Sequence, residues 1–231
     1  MSEPLRHRVE YTRNRHSRAV LRNGEIVIRL ARNLSRTEEQ QHIENLLRRM
    51  TKVAARESLR HHIDPFRPLL EGASEDPLLL SSGIAVLFRL QAGTRNRTKQ
   101  TAEGWTITVS PTLRRRKLHA LLWKVLSEDQ RIGIETLVHK INAESLRVRI
   151  GAVRLKFMSS QWGSCSPHGT ITLNTALLFL PQEVLTYVIL HELTHRLHAN
   201  HSRRFWETLE FALPGLMIAR KTLASFRLPA L

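Results

Sequence analysis

Two short runs near the start of the chain, Arg18-Ala19-Val20-Leu21-Arg22 and Glu25-Ile26-Val27-Ile28-Arg29, are apolar between charged ends and flank Asn23-Gly24. That dipeptide suits a two-residue hairpin turn, so the pattern predicts an N-terminal β-hairpin. The period then changes. Ser35 with Glu38 forms a capping box, and Ile43, Leu46, Leu47, Met50 and Val53 supply one apolar helical stripe. Prolines at 65, 68 and 77 and the polar patch Glu71-Gly72-Ala73-Ser74 mark residues 65–82 as a connector. Residues 84–88 and 105–109 read as two strands of a second hairpin, joined by the polar, basic segment 91–104. Ser110-Pro111 opens a helix through Leu113, Leu118, Leu121, Leu122 and Val125, and Ser127 with Gln130 caps another through Ile134, Leu137, Val138 and Ile141.

The last third has its own logic. Val153, Leu155 and Phe157 alternate with Arg154 and Lys156 as a half-buried strand, and Pro167-His168-Gly169 turns the chain into Thr170-Ile171-Thr172-Leu173-Asn174. Pro181 then starts a helix, Glu183 sits in its first turn, and an apolar run continues to Leu190. Between residues 161 and 190, Glu183 is the one residue among Asp, Glu, Lys and Arg, so this helix belongs to the core. Ala199-Asn200 is a plausible helix exit, and Ser202 a good N-cap for a following helix at Arg203. The expected architecture is α+β, with a basic N-terminal region over residues 1–150 and a compact core over residues 151–231.

Composition narrows the class. A chain of 231 residues that is 42% hydrophobic can bury one sizeable core, with or without an appended module. The sequence offers no span of the ~18 apolar residues needed to cross a bilayer, its opening residues do not resemble a secretion signal, and a single cysteine, Cys165, fits a reducing compartment. A cytoplasmic protein without a membrane partner is expected. Cys165 reads as a small packed side chain, or as a thiolate close to the chemistry. The net charge of +16 is concentrated, with Arg95, Arg97 and Lys99 in one segment, Arg114-Arg115-Arg116-Lys117 in another, and a basic excess over residues 1–60. Such clusters attract polyanions, so nucleic acid is a candidate partner beside a solvated basic surface without one.

The chemistry lies in His191-Glu192-Leu193-Thr194-His195 and His201. Positions i and i+4 of a helix are about 400° apart, so His191 and His195 share one face, one turn apart, and can share one metal ion. Glu192 points about 100° away and is placed to reach a water rather than the metal. The third ligand is His201 or His198. His198 shares the face of His191 but lies about 10 Å further along the axis, whereas His201 comes within reach once the helix has ended. The helix exit at Ala199-Asn200 favours His201; Glu207 and Glu210 are the remaining options.

Ser159-Ser160-Gln161-Trp162-Gly163-Ser164-Cys165-Ser166, Gly169, Leu173-Asn174, Leu180-Pro181, Tyr187-Val188, the histidine motif and Phe205-Trp206 follow one another as in a known family. Over residues 150–210 the chain resembles the YgjP-like metallopeptidases, relatives of the WLM and SprT-like proteases that act on proteins attached to DNA. It departs from them at Gln161, where the family usually has arginine. The resemblance implies a zincin-like catalytic core, a small antiparallel sheet packed on the motif helix, with the hairpin and helix as an N-terminal extension.

The expected protein is thus a peptidase with one Zn²⁺ per chain on His191, His195 and His201, and Glu192 as general base. Its substrate would be a peptide or protein lying along Gln161, Trp162, Gly163 and Ser164, paired as an added strand. Tyr187, His198 and Arg203 are candidates for stabilising the oxyanion. Two alternatives stand beside it: a basic nucleic-acid-binding protein with a structural zinc, and a protease that acts on DNA-bound proteins.

Overall fold

The computed structural model describes residues 6–22, 25–58 and 60–229. The chain forms two compact units, residues 1–60 and 61–231.

In the first unit, β1 (His7–Tyr11), β2 (Arg18–Arg22) and β3 (Glu25–Leu30) form a sheet in the order β1-β3-β2. The expected hairpin is present, with β2 antiparallel to β3 and Arg22 opposite Glu25; its turn, Asn23-Gly24, lies outside the described residues. β1 pairs with β3 in parallel, an addition to the expected pattern. α1 (Arg36–Ser58) starts on the expected capping box: Ser35 N–H donates to Glu38 Oε2 at 2.8 Å and Glu38 N–H to Ser35 Oγ at 3.3 Å. Its stripe of Ile43, Leu46, Leu47 and Met50 covers Ile26, Ile28 and Leu30, while Val53, expected in the same stripe, is exposed.

The second unit begins with α2 (Arg67–Leu70), β4 (Leu78–Leu79), β5 (Ala85–Val86), β6 (Phe88–Ala92), β7 (Arg97–Thr101) and β8 (Gly104–Val109). The hairpin expected between residues 84–88 and 105–109 is a parallel pair instead, β6 with β8. The antiparallel partner of β8 is β7, drawn from the segment expected to be a connector. Gly104 closes that turn at φ 143°, where an added Cβ would lie 2.4 Å from Leu87 O, so only glycine fits.

α3 (Arg115–Glu144) is a single helix of 30 residues rather than two. Ser127, expected to cap the second, is buried within it; its Oγ donates to Trp123 O and lies 2.6 Å from Thr175 Oγ1. A serine bonded back to the preceding turn does not interrupt a helix.

β9 (Val153–Lys156), β10 (Gly163–Cys165) and β11 (Ile171–Asn174) then form a sheet in the order β10-β11-β9, followed by a 3₁₀ turn over Thr175–Phe179 and α4 (Gln182–Thr194), α5 (Arg203–Ala212) and α6 (Met217–Ala224). This sheet is mixed, not antiparallel throughout: β10 runs against β11, and β9 runs parallel to it. α4 packs on β10 and β11, and α3 packs on β9 and α4. One continuous apolar core therefore runs from Ile63 to Ala219, with Trp123, Phe66, Phe205 and Leu177 fully buried. That core is why the boundary expected after residue 150 does not coincide with the division after residue 60: α3 is built into the same core as the motif helix. The fold is α+β, and no helix among the described residues is long and apolar enough to cross a membrane.

Candidate metal centre

α4 is buried over Val184, Leu185 and residues 187–190, which fixes its rotation against the sheet. The helix stops at Thr194, earlier than the expected exit at Ala199-Asn200, and His195 is its C-cap. Tight backbone bonds from Arg196 N to Leu193 O and from Leu197 N to Thr194 O turn the chain back, and α5 restarts after Ser202. His201 is carried by this return to the end of α4. A helix C-terminus favours positive charge, so the turn places ligands where a cation is electrostatically welcome.

Among the described residues, His191, His195 and His201 gather ring nitrogens that all lie within 4.8 Å of one another. His201 Nε2 is 2.9 Å from His191 Nε2. His195 Nδ1 lies 3.1 Å from His198 O; donating there leaves Nε2 as a free lone pair, the orientation a metal-binding imidazole needs. His191 Nδ1 is buried without a hydrogen-bond partner. Burial, aided by His195, His201 and Arg220, holds His191 down at about 4, and burial followed by His195 and Arg220 also lowers His201. Imidazoles kept neutral are metal ligands already free of the competing proton. Three imidazole nitrogen donors fit a borderline divalent ion such as zinc.

Phe205, fully buried on α5, forms the floor, with its ring centroid 4.9 Å from His191, 4.8 Å from His195 and 4.7 Å from His201. Trp206 stacks on His201 at 5.8 Å and 29°. Both aromatics stand beside the motif in the sequence pattern, but the residues alone did not mark them as parts of the centre.

Glu192 is only 6% exposed and makes no ion pair among the described residues; burial pushes its carboxyl up to about 7. It faces a cleft of about 510 Å³ lined by Gly163, Ser164, Cys165, His191, His195 and His201. Gly163 touches it: an added Cβ would lie 2.6 Å from Glu192 Oε1. Gln161 and Trp162 do not line this cleft. Their carbonyls instead accept from Asn174, Gln161 O from Nδ2 and Trp162 O from the backbone N–H, so the two residues fix the start of β10.

The other candidates are placed elsewhere. His198 Nε2 lies 3.0 Å from Thr208 Oγ1, Arg203 pairs with Glu207 at 2.6 Å, and Glu210 accepts from Gly215 N–H. Tyr187 is buried one turn before His191, with ring centroids 5.9 Å apart, and burial raises its phenol. Cys165 is half-buried and burial raises its thiol, so it lines the cleft as a protonated side chain. Arg196 donates to Arg149 O and Pro167 O, strapping the loop between β10 and β11 to the end of the motif helix.

A buried carboxylate beside three convergent imidazoles, under the edge of a small sheet, defines a metal-dependent hydrolase. The chain belongs to the YgjP-like family, whose metallopeptidase domain matches residues 14–226. It is also similar to two solved structures. One is the metallopeptidase zymogen abylysin of Pyrococcus abyssi, at 30% identity over 38% of this chain and 87% of that chain, with a TM-score of 0.35. The other is the metallopeptidase zymogen jannalysin of Methanocaldococcus jannaschii, at 25% identity over 39% and 92%, with a TM-score of 0.35. No curated protein matches the chain.

Proposed function

We propose that the chain is a zincin-like peptidase in which His191, His195 and His201 hold one Zn²⁺ and Glu192 is the general base. One observation carries this reading: three ring nitrogens within 4.8 Å of one another, with the buried carboxylate of Glu192 opening into the same cleft. A zinc ion held by these three imidazoles would lower the pKa of a bound water towards about 7 and would polarise a carbonyl.

The chain's own groups supply the rest. Glu192 accepts a proton from the attacking water and returns it to the leaving amine. Gly163 lets the backbone of β10 approach that carboxylate without a side chain between them. β10 pairs with β11 and stands at the edge of its sheet, so it offers backbone groups to an extended peptide. Substrate then lies along Gly163 and Ser164, with Gln161 and Trp162 holding the strand in place. Metal quantitation tests the ligand set: His191→Ala, His195→Ala and His201→Ala should each lose the ion, and retention of one zinc by His191→Ala refutes it.

A second reading concerns recruitment. β7 is exposed along its whole length and presents Arg97 and Lys99 two residues apart, on one face of the strand. This supports a nucleic-acid partner and a peptidase that works on DNA-bound proteins. Cleavage that requires DNA and fades with rising salt supports it; equal cleavage of free and DNA-bound substrate removes it.

A further inference from the structure

The cleft between α5 and α6 has no part in the proton chemistry, yet it touches the centre. It encloses about 600 Å³ and is lined by Trp206, Phe211, Leu216, Met217 and Arg220, with Glu207 and Glu210 at its rim. Its wall is the indole of Trp206, whose ring neighbours include Phe205 at 5.3 Å, His201 at 5.8 Å and His191 at 6.2 Å. Phe211 is 87% exposed and Met217 59% exposed. Large apolar side chains left in water around a cleft mark a place where something apolar is bound.

Arg220 is the second observation. Its Cζ sits 4.6 Å over the Trp206 ring, and it makes no salt bridge among the described residues. The acids that share the cleft are engaged: Glu207 with Arg203 and Glu210 with Gly215 N–H. A guanidinium held flat on an indole has its orientation fixed while its donor edges remain open, and those edges match a carboxylate bidentately. The indole beneath it is the ring that stacks on His201, so the guanidinium stands one ring away from the centre. A fixed cation beside a site built to hold another cation favours an anion between them.

We propose that Arg220 determines substrate specificity: its guanidinium binds a carboxylate of the peptide, while the Phe211–Leu216–Met217 cleft takes an adjoining apolar side chain. The assignment rests on the peptidase reading of the neighbouring centre. The carboxylate is either the peptide's own C-terminus or an acidic side chain.

Binding is measured on metal-free Glu192→Gln protein, so that a carboxylate cannot ligate the ion and nothing is cleaved. Three N-acetylated peptides containing phenylalanine are compared by calorimetry: a free acid, its C-terminal amide, and that amide with an internal glutamate. At least one carboxylate peptide should bind about ten-fold more tightly than the neutral amide, and the one that gains identifies the source. Arg220→Gln on the same background should erase the gain, and Arg220→Lys should keep part of it. Equal or undetectable binding of all three peptides, or a preference that survives Arg220→Gln, overturns the proposal. Cleavage of denatured casein by the zinc-loaded wild type is scored separately. Intact cleavage without carboxylate preference sinks the Arg220 assignment alone, whereas absent cleavage with the preference intact sinks the peptidase reading.

Discussion

Gly163 and Glu192 occupy space that one extra methyl group would contest: a Cβ on Gly163 would lie 2.6 Å from Oε1, 2.9 Å from Cγ and 3.0 Å from Cδ of Glu192. The Trp-Gly-Ser-Cys string and the histidine motif are therefore one device, with the edge strand pressed against Glu192. Gly163→Ala meets the flexible end of a side chain rather than backbone, so the fold should survive and the carboxylate should move. Misplacing a catalytic group by about 1 Å can cost about 10²-fold. We expect kcat to fall by about that factor with metal content unchanged, read by steady-state kinetics and metal analysis on the same preparation.

Phe205 supports all three imidazoles at 4.7 to 4.9 Å. Phe205→Leu keeps an apolar floor but removes the aromatic ring that the three imidazoles meet edge-on or tilted. Groups that orient ligands typically matter by about 10- to 100-fold in metal affinity. Competition with a chelating dye should show a loss in that range while the far-ultraviolet circular dichroism stays native.

His198 and His201 separate the two possible ligand sets. His198 is tied to Thr208 through its side chain and to His195 through its backbone carbonyl, a bond that alanine retains. His198→Ala should therefore keep one metal per chain, and His201→Ala should lose it, as counted by atomic emission after dialysis.

In the metal-free protein the contribution of Glu192 to stability should fall as pH rises, opposite in sign to that of His191, whose lowered folded pKa favours the fold at higher pH. Glu192 has a folded pKa of about 7, raised from 4.5 by burial, so its ionisation opposes folding. Its favourable contribution is complete below 4.5 and is lost as pH rises through 7, a change of about 3 kcal/mol. Glu192→Gln removes the charge. Urea denaturation of metal-free protein at pH 8 should find the variant more stable by about that amount, with the difference shrinking as pH falls towards 4.5.

Elements with a strong local pattern were legible from the residues: the β2–β3 hairpin, the α1 capping box and the buried motif helix each carry their signal within a few positions. β7 was not, because all five of its residues are exposed and no apolar face alternates along it. The parallel pairings of β1 with β3, β6 with β8 and β9 with β11 leave no mark in periodicity either, since register and direction are set by tertiary packing. Ser127 misled for a definite reason: a serine followed by an amide side chain three positions on looks like a cap, and burial beside Thr175 is invisible in one dimension. In the centre, His191, His195 and Glu192 were readable from helical geometry, and His201 from an expected helix exit at Ala199-Asn200, although the helix ends earlier, at Thr194. Arg220 comes over Trp206 from α6, 19 residues beyond His201, and no local spacing announces that contact.

The central claim is that Glu192 moves the proton while the histidines hold the metal. Peptide cleavage and metal content, measured together on wild type and Glu192→Gln, test it most directly. The account predicts one zinc per chain in both proteins and a fall in kcat/KM of about 10²- to 10⁴-fold in the variant. A zinc-loaded Glu192→Gln protein that cleaves as fast as wild type would contradict it.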